Sequence, residues 1–104
     1  MKYKLKVLPE AEDDIGEAAE FYDKQARGLG DELVHFIDQQ FEDLLEFAGI
    51  HHRRLGFYCC TVQGRFPYYQ IFYKLTNETV VVYAVIDGRR DPRTNLAKLR
   101  RRNP

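Results

Sequence analysis

The 104-residue sequence has no long apolar run, and this absence argues against a protein with a membrane-spanning helix. No uninterrupted apolar stretch approaches the ~18 residues that a membrane-spanning helix needs. The opening MKYKLKVLPEAEDD interleaves lysines with apolar residues and then becomes acidic, whereas a secretory signal needs an unbroken apolar core. We therefore expect no membrane span, no signal peptide and a cytoplasmic location.

Cysteine is also scarce, because the chain has only two, Cys59 and Cys60, and they are neighbours. Adjacent residues of a strand point to opposite faces, so this pair is poorly placed for a disulfide or for a shared metal site. His51 and His52 lie nearby, but their spacing from the cysteines matches no standard zinc-ligand pattern. These observations predict a reducing compartment and no bound metal.

Local signatures of common enzyme chemistries are missing as well. The sequence contains no glycine-rich phosphate loop and no recognisable Ser/His/Asp or Cys/His motif. It also contains no internal repeat and no Pro/Gly/Ser-rich linker, and its length suits one domain over residues 1–104. We therefore predict a single domain without a cofactor.

The sequence does have a strongly uneven distribution of charge. Its net charge is zero, with 16 basic and 16 acidic residues. Residues 1–50 contain five Lys or Arg and thirteen Asp or Glu, a net −8, and residues 51–104 contain eleven and three, a net +8. This division predicts a basic working surface on the second half. The alternative is a set of solvated acidic helices with a basic tail that only aids solubility.

Hydrophobic periodicity predicts an α+β fold with the element order β-α-α-β-β-β. Alternation over Tyr3–Val7 predicts a first strand, and apolar residues at three- and four-residue steps predict two helices separated by Gly28 and Gly30. Ile37 and Leu44 fall on the apolar face of the second helix. Because the break is short, we expect an antiparallel helical hairpin packed on one face of a small, mainly antiparallel sheet.

Three antiparallel strands are predicted in the second half, over Phe57–Val62, Phe66–Leu75 and Thr79–Ile86. The last of these, TVVVYAVI, is apolar at consecutive positions, so both of its faces avoid water, although two helices cover only one face. This pattern predicts an uncovered apolar face, including Phe72, that binds a partner. The alternative is that residues Asn95–Pro104 fold back over this face as a lid.

An arginine-rich turn, DGRRDPR, follows the last apolar strand. Arg89, Arg90 and Arg93 carry planar guanidinium groups that match phosphate or carboxylate oxygens at two points. We expect Arg65, one residue beyond Gly64, to contribute to the same region. Aromatic residues interleave with the basic ones, which suits nucleic-acid contact, although packing is their more common role. We expect these four arginines to bind the target. The alternative is that they pair with aspartates of the same turn.

The element order and the segments LPEAEDDIGEAAEFY, PYYQIFYKL and VVVYAVIDGRRDPR together resemble the RelE/ParE superfamily of toxins. These proteins are the toxic halves of bacterial type II toxin–antitoxin operons and are often labelled plasmid stabilisation proteins. The resemblance covers nearly the whole chain and implies a cognate antitoxin as partner. We expect Tyr68, Gln70 and Phe72 to contact that antitoxin.

The superfamily is divided in its activity. RelE-like members are ribosome-dependent ribonucleases that cut mRNA, whereas ParE-like members inhibit DNA gyrase. The resemblance places Cys59 and Thr61 where the nucleases carry lysines, and Gln70 where they carry an arginine. Their tyrosine position falls near Leu96, and only Arg90 matches. The resemblance therefore implies a ParE-like gyrase inhibitor that binds its target rather than an enzyme.

Two alternatives stay open at this point. The chain could be a ribosome-dependent mRNA interferase in which Tyr68, Tyr69 or His52 replaces the missing proton-transfer groups. It could also be a degenerate, non-toxic module that still binds its antitoxin. Genomic context would identify the operon but would not separate an inhibitor from a nuclease.

Overall fold

The computed structural model describes residues 2–102. Its elements, in chain order, are β1 (Lys4–Val7), α1 (Pro9–Gln25), α2 (Leu29–Phe47), β2 (Arg53–Arg54), β3 (Phe57–Thr61), β4 (Tyr69–Thr76), β5 (Thr79–Asp87) and α3 (Pro92–Arg102). The strands form one sheet in the order β1-β5-β4-β3-β2, in which only the β1–β5 pair is parallel. The predicted α+β class with an N-terminal helical hairpin is confirmed, and β2 and α3 are added to the predicted order. No helix within residues 2–102 combines the length and the apolar character needed to cross a membrane.

The helical hairpin begins and turns at residues suited to those positions. Pro9 occupies the first turn of α1, where its fixed φ and missing N–H are tolerated. Gly28 ends the connection with a left-handed φ of 87°. A Cβ on Gly30 would collide with the carbonyl oxygen of Ala19, so glycine at this position allows α1 and α2 to approach closely.

The main core lies between the helical hairpin and the sheet. Ile37 and Leu44 of α2 are both fully buried there, as predicted. Other core residues come from α1, α2 and the central strands, and they include Ala11, Leu33, Ile71, Tyr73, Val80 and Val82. This cluster fixes the position of β5, from which the arginine-rich turn departs.

The opposite face of the sheet is covered in part by α3, and this corrects the expectation of an open apolar face. Leu99 of α3 is fully buried in a second, smaller cluster. Its other buried members are Phe57, Phe72, Ala84 and Ile86. The expectation that Phe72 lies exposed on a partner-binding face is wrong, because its exposed fraction is 0%. The alternative, in which the C-terminal tail folds back over this face, is the arrangement that residues 95–102 adopt. Positions 103–104 of that tail lie outside the described residues.

A β-bulge at Tyr83 interrupts the central strand pair. Phe72 pairs with Ala84, whereas the next residue of β4, Tyr73, pairs with Val82, so β5 contains one extra residue. The bulge lets Tyr83 pack beside the second cluster rather than in the main core. The uncovered part of the second face therefore has an aromatic side chain at its border.

Candidate functional site

The arginine turn, Asp87–Arg93, connects the end of β5 to the start of α3. The Nε and Nη2 atoms of Arg89 lie 3.1 and 2.8 Å from the carboxylate oxygens of Asp87. Its guanidinium carbon lies 4.0 Å from the centre of the Tyr68 ring, a cation–π distance. The side-chain hydrogen bonds from Arg89 hold the pKa of Asp87 below its ordinary value. Arg89 is thus oriented by its own chain, between a carboxylate and an aromatic ring.

Arg93 and Arg65 also have carboxylate partners. The Nη2 of Arg93 lies 3.2 Å from Asp91, and the Nε of Arg65 lies 2.9 Å from Glu32 on α2. The backbone N–H of Arg93 has the largest effect and its side chain the next largest: both donate hydrogen bonds to Asp91 and lower the pKa of its carboxyl group. Exposed pairs of this kind contribute little to stability and exchange readily for a partner's carboxylate. The predicted pairing within the turn is therefore present for two arginines, and Arg65 is held by a helix instead.

Arg90 differs from the other three predicted arginines. Among residues 2–102 it has no carboxylate within ion-pair distance. It lines a cleft of about 330 Å³, the turn cleft, between α1 and the arginine turn. The aromatic side chains of Phe21, Tyr22 and Tyr69 line the same cleft, as does Lys98 of α3. This lining suits a partner that places an apolar side chain against the aromatic rings and an adjacent anionic group near the cations.

Phe21 is the residue of the turn cleft that the sequence interpretation missed. It lies one position before Tyr22, outside the apolar stripe of α1, and its exposed fraction is 55%. A large aromatic residue off the core face of an amphipathic helix is a signal that points to a binding surface. Lys98 was missed because its place in the lining of the turn cleft depends on α3 folding back.

Tyr68, Tyr69 and His52, the candidates for replacing proton-transfer groups, do not converge. Tyr68 is half exposed and stacks against Arg89. Tyr69 lines the turn cleft, and burial, with smaller effects of Tyr22 and Asp87, raises its pKa to about 12. His52 lines a different cleft, beside α2 and β3. Tyr69 therefore keeps its proton at neutral pH and cannot accept another group's proton there.

The positions that the resemblance matches to nuclease residues also lack a base. The thiol of Cys59 donates a hydrogen bond to Oε1 of Gln70, so the two side chains are hydrogen-bonded to each other. Burial raises the pKa of Cys59, which keeps the thiol protonated near neutral pH. Thr61 is exposed at the end of β3, and Leu96 is a partly buried residue of α3. Neither side chain can exchange a proton in this pH range.

The two cysteines lie on opposite faces of the sheet, as predicted. Cys60 belongs to the main core, and Cys59 packs against the second cluster. Both are free thiols. His51 is turned to Tyr73, whose hydroxyl oxygen lies 2.6 Å from its Nδ1. Within the described residues, no three His, Cys, Asp or Glu side chains form a group suited to a metal ion.

The residues expected to contact an antitoxin occupy three different environments. Tyr68 is exposed beside the arginine turn, and Phe72 is buried beneath α3. Gln70 is partly buried, and its side chain is so close to Gly88 that a Cβ there would lie 3.0 Å from Cγ of Gln70. Of these three residues, only Tyr68 is therefore exposed enough for a partner to contact it directly. It belongs to the same surface as Arg89.

Comparison with known proteins identifies relatives of this chain. The family model described as "ParE toxin of type II toxin-antitoxin system, parDE" matches residues 5–92. The fold is similar to a structure of the chromosomal ParDE toxin–antitoxin system from P. aeruginosa. Its TM-score is 0.72 at 16% identity, and the match covers 83% of this chain and 96% of that chain. No curated protein sequence matches. The family match ends at Pro92, the first residue of α3.

Proposed function

This chain belongs to the ParE toxin family of type II toxin–antitoxin systems, and from that premise we propose that it inhibits growth by binding a protein target. We propose DNA gyrase as the target and a cognate antitoxin as the protein that neutralises the toxin. The observation that carries the proposal is Arg90, a guanidinium without a carboxylate partner in the described chain, at an aromatic cleft.

Binding accounts for this surface better than RNA cleavage does. Attack of a ribose 2′-hydroxyl on the neighbouring phosphate needs a base, an acid and stabilisation of negative charge. Arginines supply only the last of these at neutral pH. The thiol of Cys59 and the phenol of Tyr69 both have raised pKa values, which disfavours the role of base for either. The turn cleft is lined by three carboxylates as well as by Arg89, Arg90 and Lys98. Its two cations without an ion-pair partner in the described chain, Arg90 and Lys98, instead support recognition of an acidic group on a protein target.

The contact is expected to centre on Arg90 and Phe21. Both residues line the turn cleft. Arginine and aromatic side chains are the residue types enriched at the energetically dominant positions of interfaces. Arg89, on Tyr68, would exchange its bond to Asp87 for a carboxylate of the target without first changing orientation. This preorganisation lowers the entropic cost of binding.

A double variant, Arg89→Ala with Arg90→Ala, tests the proposal. Truncating an interface arginine should cost roughly 2 kcal/mol or more, which is over twentyfold in affinity per residue, so the double variant should lose growth inhibition. Because both side chains are exposed, the free energy of unfolding should change by no more than ~1 kcal/mol. Arg100→Ala is the matched control, since Arg100 is an exposed arginine outside the turn cleft.

Two assays with purified components determine which activity is affected. The unaltered chain should inhibit supercoiling by DNA gyrase, the double variant should not, and Arg100→Ala should behave like the unaltered chain. A second assay with translating ribosomes should show no mRNA cleavage. Cleavage in the second assay without inhibition in the first would replace the proposal with the ribonuclease alternative. Normal growth arrest by a folded double variant would eliminate the arginine turn as the target-binding surface.

A further inference from the structure

One wall of the turn cleft is a single face of α1. The α1 residues that line the cleft recur at three- and four-residue steps, which places them on the same side of the helix. They are Asp14, Glu17, Ala18, Phe21 and Tyr22. Glu17 and Phe21 are four positions apart and are therefore neighbours on that side. The wall thus carries a carboxylate beside an exposed aromatic ring.

The three carboxylates of the cleft differ in what they bind. Asp14 is bound to Arg102, with 2.9 Å between Oδ1 and Nη2. Asp87 accepts from Nη2 of Arg89 over 2.8 Å. Glu17 is exposed, and in the part of the chain that the structure describes it has no cationic nitrogen within ion-pair distance. Glu17 is therefore the carboxylate of the cleft that remains available for a cation of a partner.

The free cations of the cleft are kept apart from Glu17 by the sheet. Ala18 of α1 belongs to the main core on one face of the sheet, whereas Leu99 of α3 is buried in the second cluster on the opposite face. Lys98 precedes Leu99 and therefore reaches the cleft from the α3 side. Arg90 lies in the turn that leads to α3. The cleft thus has a free carboxylate on its α1 side and two free cations on its α3 side.

Three aromatic rings, the aromatic row, extend from α1 to the sheet along the cleft. The ring centres of Phe21 and Tyr22 are 5.2 Å apart, and those of Tyr22 and Tyr69 are 6.0 Å apart. The row begins at Phe21, beside Glu17. At its other end, burial raises the pKa of Tyr69, and the nearby charge of Arg90 opposes this increase. An apolar surface therefore extends from the free carboxylate towards the free cations.

This arrangement of charge favours an occupant that carries both signs. A purely anionic occupant, such as a nucleic acid, would leave Glu17 without a partner and would be repelled by it. A protein segment with one basic, one apolar and one acidic side chain can satisfy the carboxylate, the aromatic row and the cations together. Opposite charges in fixed positions also determine the orientation in which a partner binds.

We propose that the turn cleft recognises a dipolar segment of the protein target, whose cation binds Glu17 and whose anion binds Arg90 and Lys98, with an apolar side chain on the aromatic row. This inference rests on the proposed function, because it takes the turn cleft to be the target-binding surface. Glu17 and Lys98 then determine specificity: together they select one orientation of the segment, and Glu17 rejects polyanions. Lys98 lies beyond residues 5–92, which the family model matches, so its role does not follow from membership of the family.

Three small aromatic probes test the cleft without the target. The dipolar probe, para-(aminomethyl)benzoate, carries an ammonium group and a carboxylate at opposite ends of one ring. The anionic probe, para-methylbenzoate, lacks the ammonium group, and the cationic probe, para-methylbenzylamine, lacks the carboxylate. Each probe is titrated into the isotope-labelled chain, and the NMR shifts of the Phe21 and Tyr69 rings give its dissociation constant.

The unaltered chain should bind the dipolar probe roughly fivefold more tightly than either singly charged probe, because each added ion pair is exposed to solvent. Glu17→Gln should abolish the advantage of the dipolar probe over the anionic one, without weakening the anionic probe. Glu42→Gln, the matched control, changes an exposed glutamate of α2 outside the cleft lining and should alter none of the three constants. Equal binding of the dipolar and anionic probes to the unaltered chain, or no saturable binding of the dipolar probe, would overturn the inference. So would equal weakening of all three probes by Glu17→Gln.

A supercoiling assay with purified gyrase keeps this inference separate from the proposed function. Glu17→Gln should raise the concentration of toxin needed for half-maximal inhibition roughly fivefold, and Glu42→Gln should leave it unchanged. If the unaltered chain inhibits gyrase and folded Glu17→Gln inhibits it equally well, dipolar recognition is rejected and the toxin proposal stands. If the unaltered chain prefers the dipolar probe but does not inhibit gyrase, gyrase is rejected as the target and dipolar recognition by the cleft stands.

Discussion

Arg102 of α3 and Asp14 of α1 form a bidentate ion pair beside the end of β5, with 2.5 Å between Nη1 and Oδ2 and 2.9 Å between Nη2 and Oδ1. Both groups also bind the strand. The backbone N–H of Val85 donates to Asp14 over 3.1 Å, and Arg102 donates to the carbonyl oxygen of Tyr83 over 3.1 Å. Because β1 ends at Val7, this stretch of β5 has no strand neighbour on that side. The ion pair supplies the missing hydrogen-bond partners.

Replacing Arg102 with Ala should destabilise the protein strongly. The side chains of Arg102 and Asp14 are only 12% and 6% exposed, so truncation leaves a nearly buried carboxylate without its cation. Loss of one member of a buried pair commonly costs about 3–5 kcal/mol. Urea unfolding measures the change in the free energy of unfolding. Arg101→Ala, one residue earlier and exposed, should change it by less than ~0.5 kcal/mol. Equal effects of the two substitutions would show that the ion pair does not anchor α3.

Truncation of the main core should have a comparable effect through a different mechanism. Ile37→Ala or Leu44→Ala removes a fully buried aliphatic side chain between α2 and the sheet. Lost burial and the remaining cavity together cost about 2–5 kcal/mol for each substitution. The exposed Asp38, replaced by Ala, serves as the control on the same helix. Urea midpoints that stay unchanged for both core variants would contradict the assigned helix face.

A charge at Phe72 should unfold the protein rather than only weaken partner binding. Phe72 is fully buried with Leu99 beneath α3, so Phe72→Glu places a carboxylate inside a fully buried apolar cluster. The expected cost is roughly 4 kcal/mol or more. Phe72→Leu keeps the site apolar and should retain a cooperative melt, followed by circular dichroism. A cooperative, near-normal melt of Phe72→Glu would show that α3 leaves this face readily.

Stability should decrease as the pH falls below about 6.5, the ordinary pKa of histidine, and His51 should account for part of the decrease. Burial lowers the pKa of His51. The hydroxyl oxygen of Tyr73 accepts from the backbone N–H of Gly49 over 2.8 Å and lies 2.6 Å from Nδ1 of His51. A hydrogen bond from this hydroxyl to Nδ1 requires a neutral ring, because a protonated ring has no acceptor nitrogen. Between the lowered pKa and the ordinary one, the unfolded chain binds more protons than the folded chain, so acid favours unfolding.

Urea unfolding at a series of pH values checks this dependence. His51→Gln should flatten the part of the curve below about pH 6.5. His35→Gln changes an exposed histidine of α2 and should leave the curve as it is. A pH dependence that is identical for the two variants would show that His51 does not contribute.

Several features of this protein follow from sequence pattern alone. The helical hairpin, the burial of Ile37 and Leu44, and the apolar strand before the arginine turn all depend on residues close together in the chain. Helical and strand periodicities are local properties, so they can be read without knowledge of the tertiary contacts. The segments that resemble the RelE/ParE toxins likewise lie within these local elements.

Only the tertiary structure determined that α3 covers part of the second sheet face. The segment PRTNLAKLRRR is so polar that it indicates a solvated tail, and just Asn95 and Leu99 of it are buried. Its docking depends on Leu99 meeting the apolar side chains of β3, β4 and β5, and on Arg102 meeting Asp14, which is 88 residues away in the chain. For the same reason, Phe72 is buried and Lys98 lines the turn cleft.

The turn cleft also depends on contacts that no local pattern specifies. It forms because α1 packs beside the carboxyl end of β5, a strand that is also paired in parallel with β1. The pairing of the first strand with the last joins residues more than seventy positions apart, such as Lys6 and Val81. Composition places basic residues in the second half of the chain, but long-range packing decides which of them remain without a carboxylate partner, because an ion pair requires proximity in space rather than in sequence.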